Sequence, residues 1–409
     1  MEPKIRFKGF EGEWKETKYS SFATIRRGLT YSPENIVSKG IRVLRSSNID
    51  EDVFLRSEED VFVHSSCINI PFAKDGDILI TAANGSPRLV GKHAVINKLN
   101  GDKVVPGGFM ILASSKEPYF LNSCMGAPWY KTFLKTGVAG GNGAIGNLNK
   151  HALEEYEFYT PSNKLERDGL ASYFTSLDSQ ISASTSRLAS LKQMKAASLQ
   201  AMFPQEGETV PKIRFKGFEG EWKTCPLYHF AKKRIEKNTK MLYNITLTNS
   251  AEFGIIDQRN FFDHEISNSE NINGYYVVRD HDFVYNPRIS SSAPVGPINQ
   301  NKLGYTGVMS PLYLVFEING INRDFLEIFF HTTLWHKYMF DNGNTGARFD
   351  RLAISDEDFM KMPIPDIDIE EQQAIANYFT SLDRQISLQS QRLEKLKQIK
   401  SACLDKMFV

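Results

Sequence analysis

Two stretches of the chain combine residue types and spacings that could do chemistry. Residues 85–93 resemble a phosphate-binding loop, but five residues separate its two glycines, and His93 stands where such a loop needs Ser or Thr. The stretch also precedes a predicted strand rather than a helix, so we reject a nucleotide site. His64 and Cys67 have the spacing of metal ligands, yet no second pair accompanies them, and we therefore predict no metal site.

The overall composition is that of a globular chain. Its 409 residues allow two or three domains, and 41% apolar against 24% charged residues is ordinary for such proteins. No apolar run approaches the roughly 20 residues of a membrane span, and the first residues lack a signal peptide's apolar core. The four cysteines form no C-x-x-C pair, which predicts reduced thiols and a cytoplasmic protein. Because the net charge is only +1, a phosphate-binding face would have to be a local patch.

One helical segment occurs twice. Residues 173–178 return unchanged as 378–383, within segments 171–203 and 376–408 that contain no Gly or Pro. Apolar residues recur in steps of three and four, as in a coiled-coil seam, with polar Ser184 and Gln389 at one matching position. The predicted seam consists of Phe174, Leu177, Ile181, Leu188 and Leu191, and of Phe379, Leu382, Ile386, Leu393 and Leu396. Each helix would be roughly 50 Å long, and its nearest partner is the other copy.

A second repeat shows that the chain consists of two tandem halves. Residues 3–15 return unchanged as 211–223 at the start of the second half. Aromatic residues in this segment, including Trp14, predict an irregular lead-in that packs on the fold rather than doing chemistry. The chain ends also fit a circular arrangement, because Phe203 leads within a few residues to the second lead-in, as Phe408 would lead to the first.

The blocks between these repeats hardly match in sequence, yet their layouts agree. In the first block, short apolar runs separated by turn residues predict strands at 41–44, 61–63, 77–81, 93–96 and 109–112. A helix at 119–136 and a Gly/Asn loop at 137–147 follow. The second block repeats this layout with strands at 282–285 and 311–316, a helix at 323–340 and a loop at 342–346. We therefore predict a mixed α/β (α+β) fold with two sheet-containing domains on a pseudo-two-fold scaffold.

Three short motifs stand near the second repeated helix: Pro-x-Pro within residues 362–365, Glu-Gln-x-x-Ile at 371–375 and Leu-Asp at 382–383. With this pattern, the whole chain resembles the DNA-specificity subunit of a Type I restriction-modification system. Residues 282–288 and Gly346 also resemble family segments. The first half departs from the pattern, with Thr160 and Pro161 in place of Pro-x-Pro and no Glu-Gln pair in 165–170.

The resemblance implies an architecture, partners and a role. Residues 1–164 and 211–366 would be target-recognition domains, 205–210 a linker, and 165–204 and 367–409 helices of an antiparallel coiled coil. Each domain would read one half of a split, asymmetric site in double-stranded DNA, while the helices set the gap and dock two methyltransferase subunits. Those subunits would bind S-adenosylmethionine and methylate adenine, and restriction subunits would use ATP and Mg²⁺. This chain itself would hold no cofactor and no active site.

Motifs of two nucleic-acid chemistries are missing from the sequence. Adenine methyltransferases carry an Asn/Asp-Pro-Pro-aromatic motif, whereas this chain has Arg288 after Asn286 and Pro287. A nuclease would need an acidic residue followed by Glu-x-Lys, which residues 365–370 do not supply. Two alternatives remain open: a nucleic-acid enzyme with an unrecognised site, and a two-headed scaffold that binds proteins or glycans.

DNA contacts are predicted in polar loops, because Arg and Lys favour phosphate and guanine while Asn and Gln favour adenine. In the first domain the candidates are Asn84, Arg88, Lys92, His93, Asn142 and Asn147. In the second they are Arg288, Ser290, Ser291, Asn299, Gln300, Lys302, Asn344, Arg348 and Arg351. A basic run is a further phosphate-binding candidate, with Lys232, Lys233, Arg234, Lys237 and Lys240. The alternative interpretation of each is a solvated loop residue or a turn former.

Overall fold

Two units make up the fold in this computed structural model, which describes residues 1–139, 146–260, 269–345 and 349–409. Unit 1 contains residues 1–188 and 389–409, and unit 2 contains residues 189–388. Each unit therefore combines one predicted domain with parts of both repeated helices, whereas the predicted boundaries follow five successive segments. The difference arises because the end of each helix packs into a core formed by residues distant in sequence.

Unit 1 is a mixed α+β arrangement. Its strands are β1 (Lys15–Lys18), β2 (Ala23–Arg27), β3 (Ile36–Val37), β4 (Ile41–Leu44), β5 (Ile49–Asp50), β6 (Val53–Phe54), β7 (Val61–Val63), β8 (Ile78–Thr81), β9 (Ala83–Asn84), β10 (His93–Val95), β11 (Val104–Pro106), β12 (Met110–Ser115), β13 (Val138–Ala139), β14 (Gly146–Leu148) and β15 (Glu157–Thr160). Its helices are α1 (Pro118–Met125), α2 (Pro128–Gly137), α3 (Lys150–Glu155) and the first part of α4 (Lys164–Ala201).

Unit 2 repeats this plan with other residues. Its strands are β16 (Lys223–Pro226), β17 (Ala231–Lys233), β18 (Leu247–Ser250), β19 (Gly254–Asp257), β20 (Tyr276–Val278), β21 (Phe283–Tyr285), β22 (Ile298–Gln300), β23 (Gly307–Met309), β24 (Leu314–Ile318) and β25 (Pro363–Asp366). Its helices are α5 (Arg323–Phe330), α6 (His336–Asn342), α7 (Asp356–Met360) and the first part of α8 (Ile369–Met407), whose last part belongs to unit 1.

The central sheet has the same order in both units. It runs β10-β8-β12-β2 in unit 1 and β22-β21-β24-β17 in unit 2, with every neighbouring pair antiparallel. In β8, Ile78 and Ile80 pack with the helices, whereas Leu79 lies in a second cluster on the opposite face. In β21, Phe283 packs with the helices of unit 2, whereas Val284 lies in a second cluster on the opposite face. Both strands are buried on both faces, as their continuous apolar runs indicate.

The single helix predicted after the central sheet is in fact two helices in each unit. In unit 1, α1 ends at Met125 and α2 begins at Pro128. Proline lacks an amide hydrogen and fits best in a helix's first turn, so it starts α2 rather than continuing α1. In unit 2, α5 ends at Phe330 and is capped by His331, whose amide bonds the carbonyls of Glu327 and Ile328, and α6 starts at His336. The predictions for 119–136 and 323–340 were therefore wrong in length.

The repeated lead-ins are anchored by ion pairs that the sequence analysis missed. Arg6 bonds Glu166 at 2.7 and 2.9 Å, and Arg214 bonds Glu371 at 2.6 and 2.7 Å, each through two guanidinium nitrogens. Both carboxylate side chains are only 2% exposed. Glu166 thus occupies the place of Glu371, although the family-like Glu-Gln pair is absent from the first half. Trp14 is buried close by, as the sequence predicted for the lead-in.

The two long helices pair in antiparallel fashion within each unit. In unit 1, the Tyr173 hydroxyl lies 3.3 Å from the Cys403 sulfur, and in unit 2 the Ser198 and Tyr378 hydroxyls lie 2.9 Å apart. Six predicted seam residues are buried: Phe174, Leu177, Ile181, Leu191, Phe379 and Leu382. The other four are half-buried: Leu188, Ile386, Leu393 and Leu396.

The predicted polar position of the seam is one hydrogen-bonded pair. The Gln389 side-chain amide donates to the Ser184 hydroxyl at 2.6 Å and to its carbonyl at 3.1 Å. Both residues are buried in unit 1. A buried amide in an apolar seam can fix its register, because a shifted register would leave it unpaired.

A double-mutant cycle on Ser184→Ala and Gln389→Leu is expected to give a coupling free energy of about 1 kcal/mol, because each variant removes one partner of the same buried bond. Denaturant unfolding followed through unit 1 would measure it. Ser186 lies on an exposed face of the same helix, so Ser186→Ala should show no coupling to Gln389→Leu. Equal coupling in both cycles would contradict the specific bond.

Candidate nucleic-acid interface

A small ribbon of three extended segments follows the central sheet in each unit. In unit 1 it has the order β13-β14-β9, and the amide of Leu148 donates to the Ala82 carbonyl at 2.7 Å. In unit 2 the segments around residues 288, 344 and 351 pair in the same way, and the amide of Leu352 donates to the Pro287 carbonyl at 2.9 Å. Both leucines are buried, so each ribbon turns one face towards its core.

Three predicted residues share the outer face of the ribbon in unit 2. Arg351 lies opposite Arg288, and Ala353 lies opposite Asn344. Opposed residues in an antiparallel pair point to the same face, as do residues two apart along one segment. Arg288, Arg351 and Asn344 therefore face the same way, with Leu352 turned inwards.

The ribbon of unit 1 separates two predicted asparagines. Asn147 lies opposite Ala83, and its side chain is exposed on the outer face. Asn84 lies opposite Gly146, one residue along, so it points to the other face. The two asparagines come together in space, but they cannot contact the same base edge.

Asn84 instead lines a cleft of about 850 Å³ together with Lys92, another predicted residue. The cleft is also lined by Tyr31, Arg45 and Phe109, which the sequence analysis missed. Phe109 was predicted to begin a strand, but β12 begins at Met110 and Phe109 is 63% exposed. The signal was present as two glycines directly before an aromatic residue, which favours a tight turn over a strand.

Two predicted contact residues, His93 and Gln300, lie in the interior. His93 is buried in unit 1, with its Nδ1 2.9 Å from the Asn122 side-chain oxygen and its ring against Tyr130. Gln300 is buried in β22 beside His281. A buried side chain cannot reach a ligand unless the core opens, so neither residue fits a role at the surface.

Four further predicted residues are already occupied by partners in unit 2. Lys233 pairs with Asp356, and Asn299 donates to the side-chain oxygen of Asn249 at 2.7 Å. Arg234 pairs with Asp282 and Glu317, and Lys302 pairs with Asp324 and Glu327.

Arg234 and Lys302, which have two acidic partners each, remain charged, but those partners neutralise most of their positive charge. Burial is the largest single effect on Arg234 and lowers its pKa, but the hydrogen bond to Asp282 and the charges of Asp282 and Glu317 together leave that pKa above its ordinary value. For Lys302 burial acts in the same sense, and the bonds to Glu327 and Asp324 again leave the pKa raised. These two side chains fit a structural role better than phosphate binding.

The remaining candidates lie on exposed loops or outside the described residues. Exposed candidates are Arg88, Lys232, Lys237, Lys240, Ser290 and Ser291. Ser290 accepts a bond from the Ala293 amide and so forms a turn as well. Asn142 and Arg348 fall in the segments that the structure does not describe, as does Gly346.

The described ranges contain neither a metal-binding cluster nor a membrane-spanning helix. There, no three His, Cys, Asp or Glu side chains cluster in a way that could hold a metal ion. Within the same ranges, no helix is long and apolar enough to cross a membrane.

Comparisons with solved structures match the chain over its full length. It is similar to the S subunit of a Type I restriction-modification system from M. genitalium, with 13% identity, a TM-score of 0.58, and coverage of 100% of this chain and 99% of that one. A chain from a structure on assembly and conformational transition of the type I R-M system has 14% identity, coverage of 97% and 98%, and a TM-score of 0.49. The HsdS subunit from Thermoanaerobacter tengcongensis has 15% identity, coverage of 97% and 96%, and a TM-score of 0.41. No family model and no curated protein matches the sequence. The chain therefore has the fold of the M. genitalium S subunit.

Proposed function

We propose that this chain is the DNA sequence-recognition subunit of a Type I restriction-modification complex. The observation that supports this most is the full-length similarity in fold to the M. genitalium S subunit. The duplication adds to it, because two units with one topology carry different residues on their outer faces. Two units that share a topology but differ in their surface residues are suited to recognise the two different halves of an asymmetric DNA site.

Each unit would read one half of that site. Unit 2 offers the guanidinium groups of Arg288 and Arg351, and unit 1 offers Asn147 on its ribbon and a cleft lined by Arg45 and Lys92. These side chains match the two kinds of contact that DNA needs, since cations bind phosphate or guanine and amides bind adenine. Exposed Lys232, Lys237 and Lys240 in unit 2 would add phosphate contacts.

The chemistry would reside on partner subunits. Two methyltransferase subunits that bind S-adenosylmethionine would dock on the repeated helices, where residues such as Ser186 and Gln398 are exposed. Restriction subunits would supply ATP- and Mg²⁺-dependent cleavage. This chain would contribute specificity and the gap between half-sites without a catalytic group. Its four free cysteines suit a reducing compartment, which supports a cytoplasmic location.

Mapping methylated adenines across the genome tests the proposal. Cells that express the methyltransferase partner with this chain should methylate a split, asymmetric motif that cells with the partner alone do not. A stable complex that produces no new methylation would favour the scaffold alternative. Methylation or Mg²⁺-dependent cleavage by the purified chain alone would favour the enzyme alternative.

Exchange of residues 18–160 for the corresponding block of another such subunit is expected to change one half of the motif and leave the other half intact. The cut points are suited to this, because Lys18 lies in β1 and Thr160 in β15, two strands that pair side by side. The matched exchange in unit 2 would use Pro226 in β16 and Asp366 in β25, which form the corresponding pair of strands. Changes in both halves after one exchange would contradict independent reading.

A further inference from the structure

Asn147 in the ribbon of unit 1 and Arg351 in the ribbon of unit 2 occupy structurally equivalent positions. Each directly precedes a buried leucine whose amide bonds the segment that follows the central strand, at 2.7 Å in unit 1 and 2.9 Å in unit 2. Each is also followed closely by a helix with a polar N-cap, Asn149 for α3 and Ser355 for α7. An alignment of the two halves of the chain does not reveal this equivalence, because the residues around Asn147 differ from those around Arg351.

The partner across the ribbon differs sharply between the units. In unit 2, bonds from Ile289 to Asp350 and from Leu352 to Pro287 flank the opposed pair of Arg288 and Arg351. This is the non-hydrogen-bonded type of pair, in which side chains lie closest, with Cα atoms about 4.5 Å apart. In unit 1 the equivalent pair is uncharged, with Ala83 opposite Asn147.

Two directly opposed cations destabilise a ribbon unless an anionic group lies between or beside them. Asp350 lies 3.7 Å from Arg351, and in the part of the chain that the structure describes the Arg288 side chain has no acidic partner. The neutral pair of unit 1 shows that the ribbon forms without these charges. The Arg288 guanidinium therefore suits an external, electron-rich ligand rather than the fold, and Arg351, which Asp350 contacts from one side, lies directly opposite it.

The type of side chain at this position predicts the type of base. Arginine pairs through two hydrogen bonds with O6 and N7 of guanine, and asparagine pairs in the same manner with N6 and N7 of adenine. Both residues project from the outer face of their ribbon, where Arg288 can hold a neighbouring phosphate while Arg351 reaches a base edge.

We infer that Arg351 and Asn147 are equivalent base-reading residues, with Arg351 contacting a guanine in one half-site and Asn147 an adenine in the other. The inference rests on the proposed function and adds to it the positions and the bases. It also assigns Arg288 to the DNA backbone, so Arg288→Gln should weaken methylation at all sites equally and leave the motif unchanged.

Mapping of methylated adenines with Arg351→Gln and Arg351→Lys variants, each in complex with the methyltransferase partner, tests this. Both variants should lose the preference for one guanine in a single half-site by about tenfold to a hundredfold. The lysine variant is decisive, because it keeps the charge but cannot form the two-pronged contact. Asn147→Ala should relax one adenine in the other half-site, and Lys302→Gln, at an ion-paired surface cation, should change nothing.

The outcomes separate this inference from the function on which it rests. A wild-type complex that methylates no split motif would remove the proposed function and the inference with it. A wild-type motif that stays unchanged in both Arg351 variants, while methylation falls uniformly, would identify a phosphate contact and overturn the inference alone. Complex formation by each variant, checked by co-purification, excludes misfolding as the cause of a change.

Discussion

Phe408→Ala is expected to destabilise unit 1 by about 3–5 kcal/mol, the usual cost of removing a buried phenylalanine, although the residue is next to last in the chain. Its ring lies 6.0 Å from Trp14 and 5.6 Å from Phe174, and only 4% of the residue is exposed. The end of α8 thus completes the core of unit 1. Hydrogen exchange of peptides around residues 14–25 and 170–178 would measure the loss of protection.

Phe203→Ala is the matched control in unit 2. Phe203 is fully buried against Trp222 at 5.6 Å and Phe325 at 5.9 Å. It should raise exchange in unit 2 and leave the peptides of unit 1 protected. Leu165→Ala, at a residue of α4 that is 71% exposed, should change neither unit. Full protection around Trp14 in Phe408→Ala would show that the end of α8 is dispensable.

The sequence predicted the parts of the fold in which burial leaves a periodic pattern. The continuous apolar runs at 77–81 and 282–285 became the central strands β8 and β21. The three-four steps of the repeated segments became the buried seam around Phe174 and Phe379. Even its polar position was confirmed as a contact, because one polar residue in an apolar stripe must find a partner.

Tertiary effects explain what the sequence did not show. The pairing of Arg6 with Glu166 joins residues that no local pattern connects. His93 was correctly predicted to begin a strand, β10, but its hydrogen bond to Asn122 satisfies the polar side chain inside the core instead of at a DNA-contacting surface. Phe109 was misplaced by one residue, which was enough to move it from a strand to an exposed turn.

The candidate site was predicted in composition but not in geometry. Asn84 and Asn147 were chosen because polar loops contact DNA, yet a strand's side chains alternate, and these two point to opposite faces. Arg288 and Arg351 were chosen singly, and only the register shows that they oppose each other. Ribbon segments rich in Gly and Asn carry no apolar alternation, so the sequence contains no signal for their register.

Arg214→Met is expected to destabilise unit 2 by about 3–5 kcal/mol, because removing one member of a buried ion pair leaves the charge of the other, Glu371, buried without a partner. Glu371 is 2% exposed and receives two hydrogen bonds from this guanidinium, which in turn raise the pKa of Arg214 above its ordinary value. Denaturant unfolding followed through unit 2 measures the loss.

The equivalent ion pair in unit 1, between Arg6 and Glu166, supplies the control for this prediction. Arg6→Met makes the same change in unit 1, but there the indole nitrogen of Trp14 lies 3.4 Å from Glu166 and can still donate to it. The Trp222 indole nitrogen, by contrast, is buried without a hydrogen-bond partner in the described chain. Arg214→Met should therefore cost more than Arg6→Met. If both variants unfold with unchanged midpoints, the lead-ins are held by their aromatic residues and the ion pairs contribute nothing to stability.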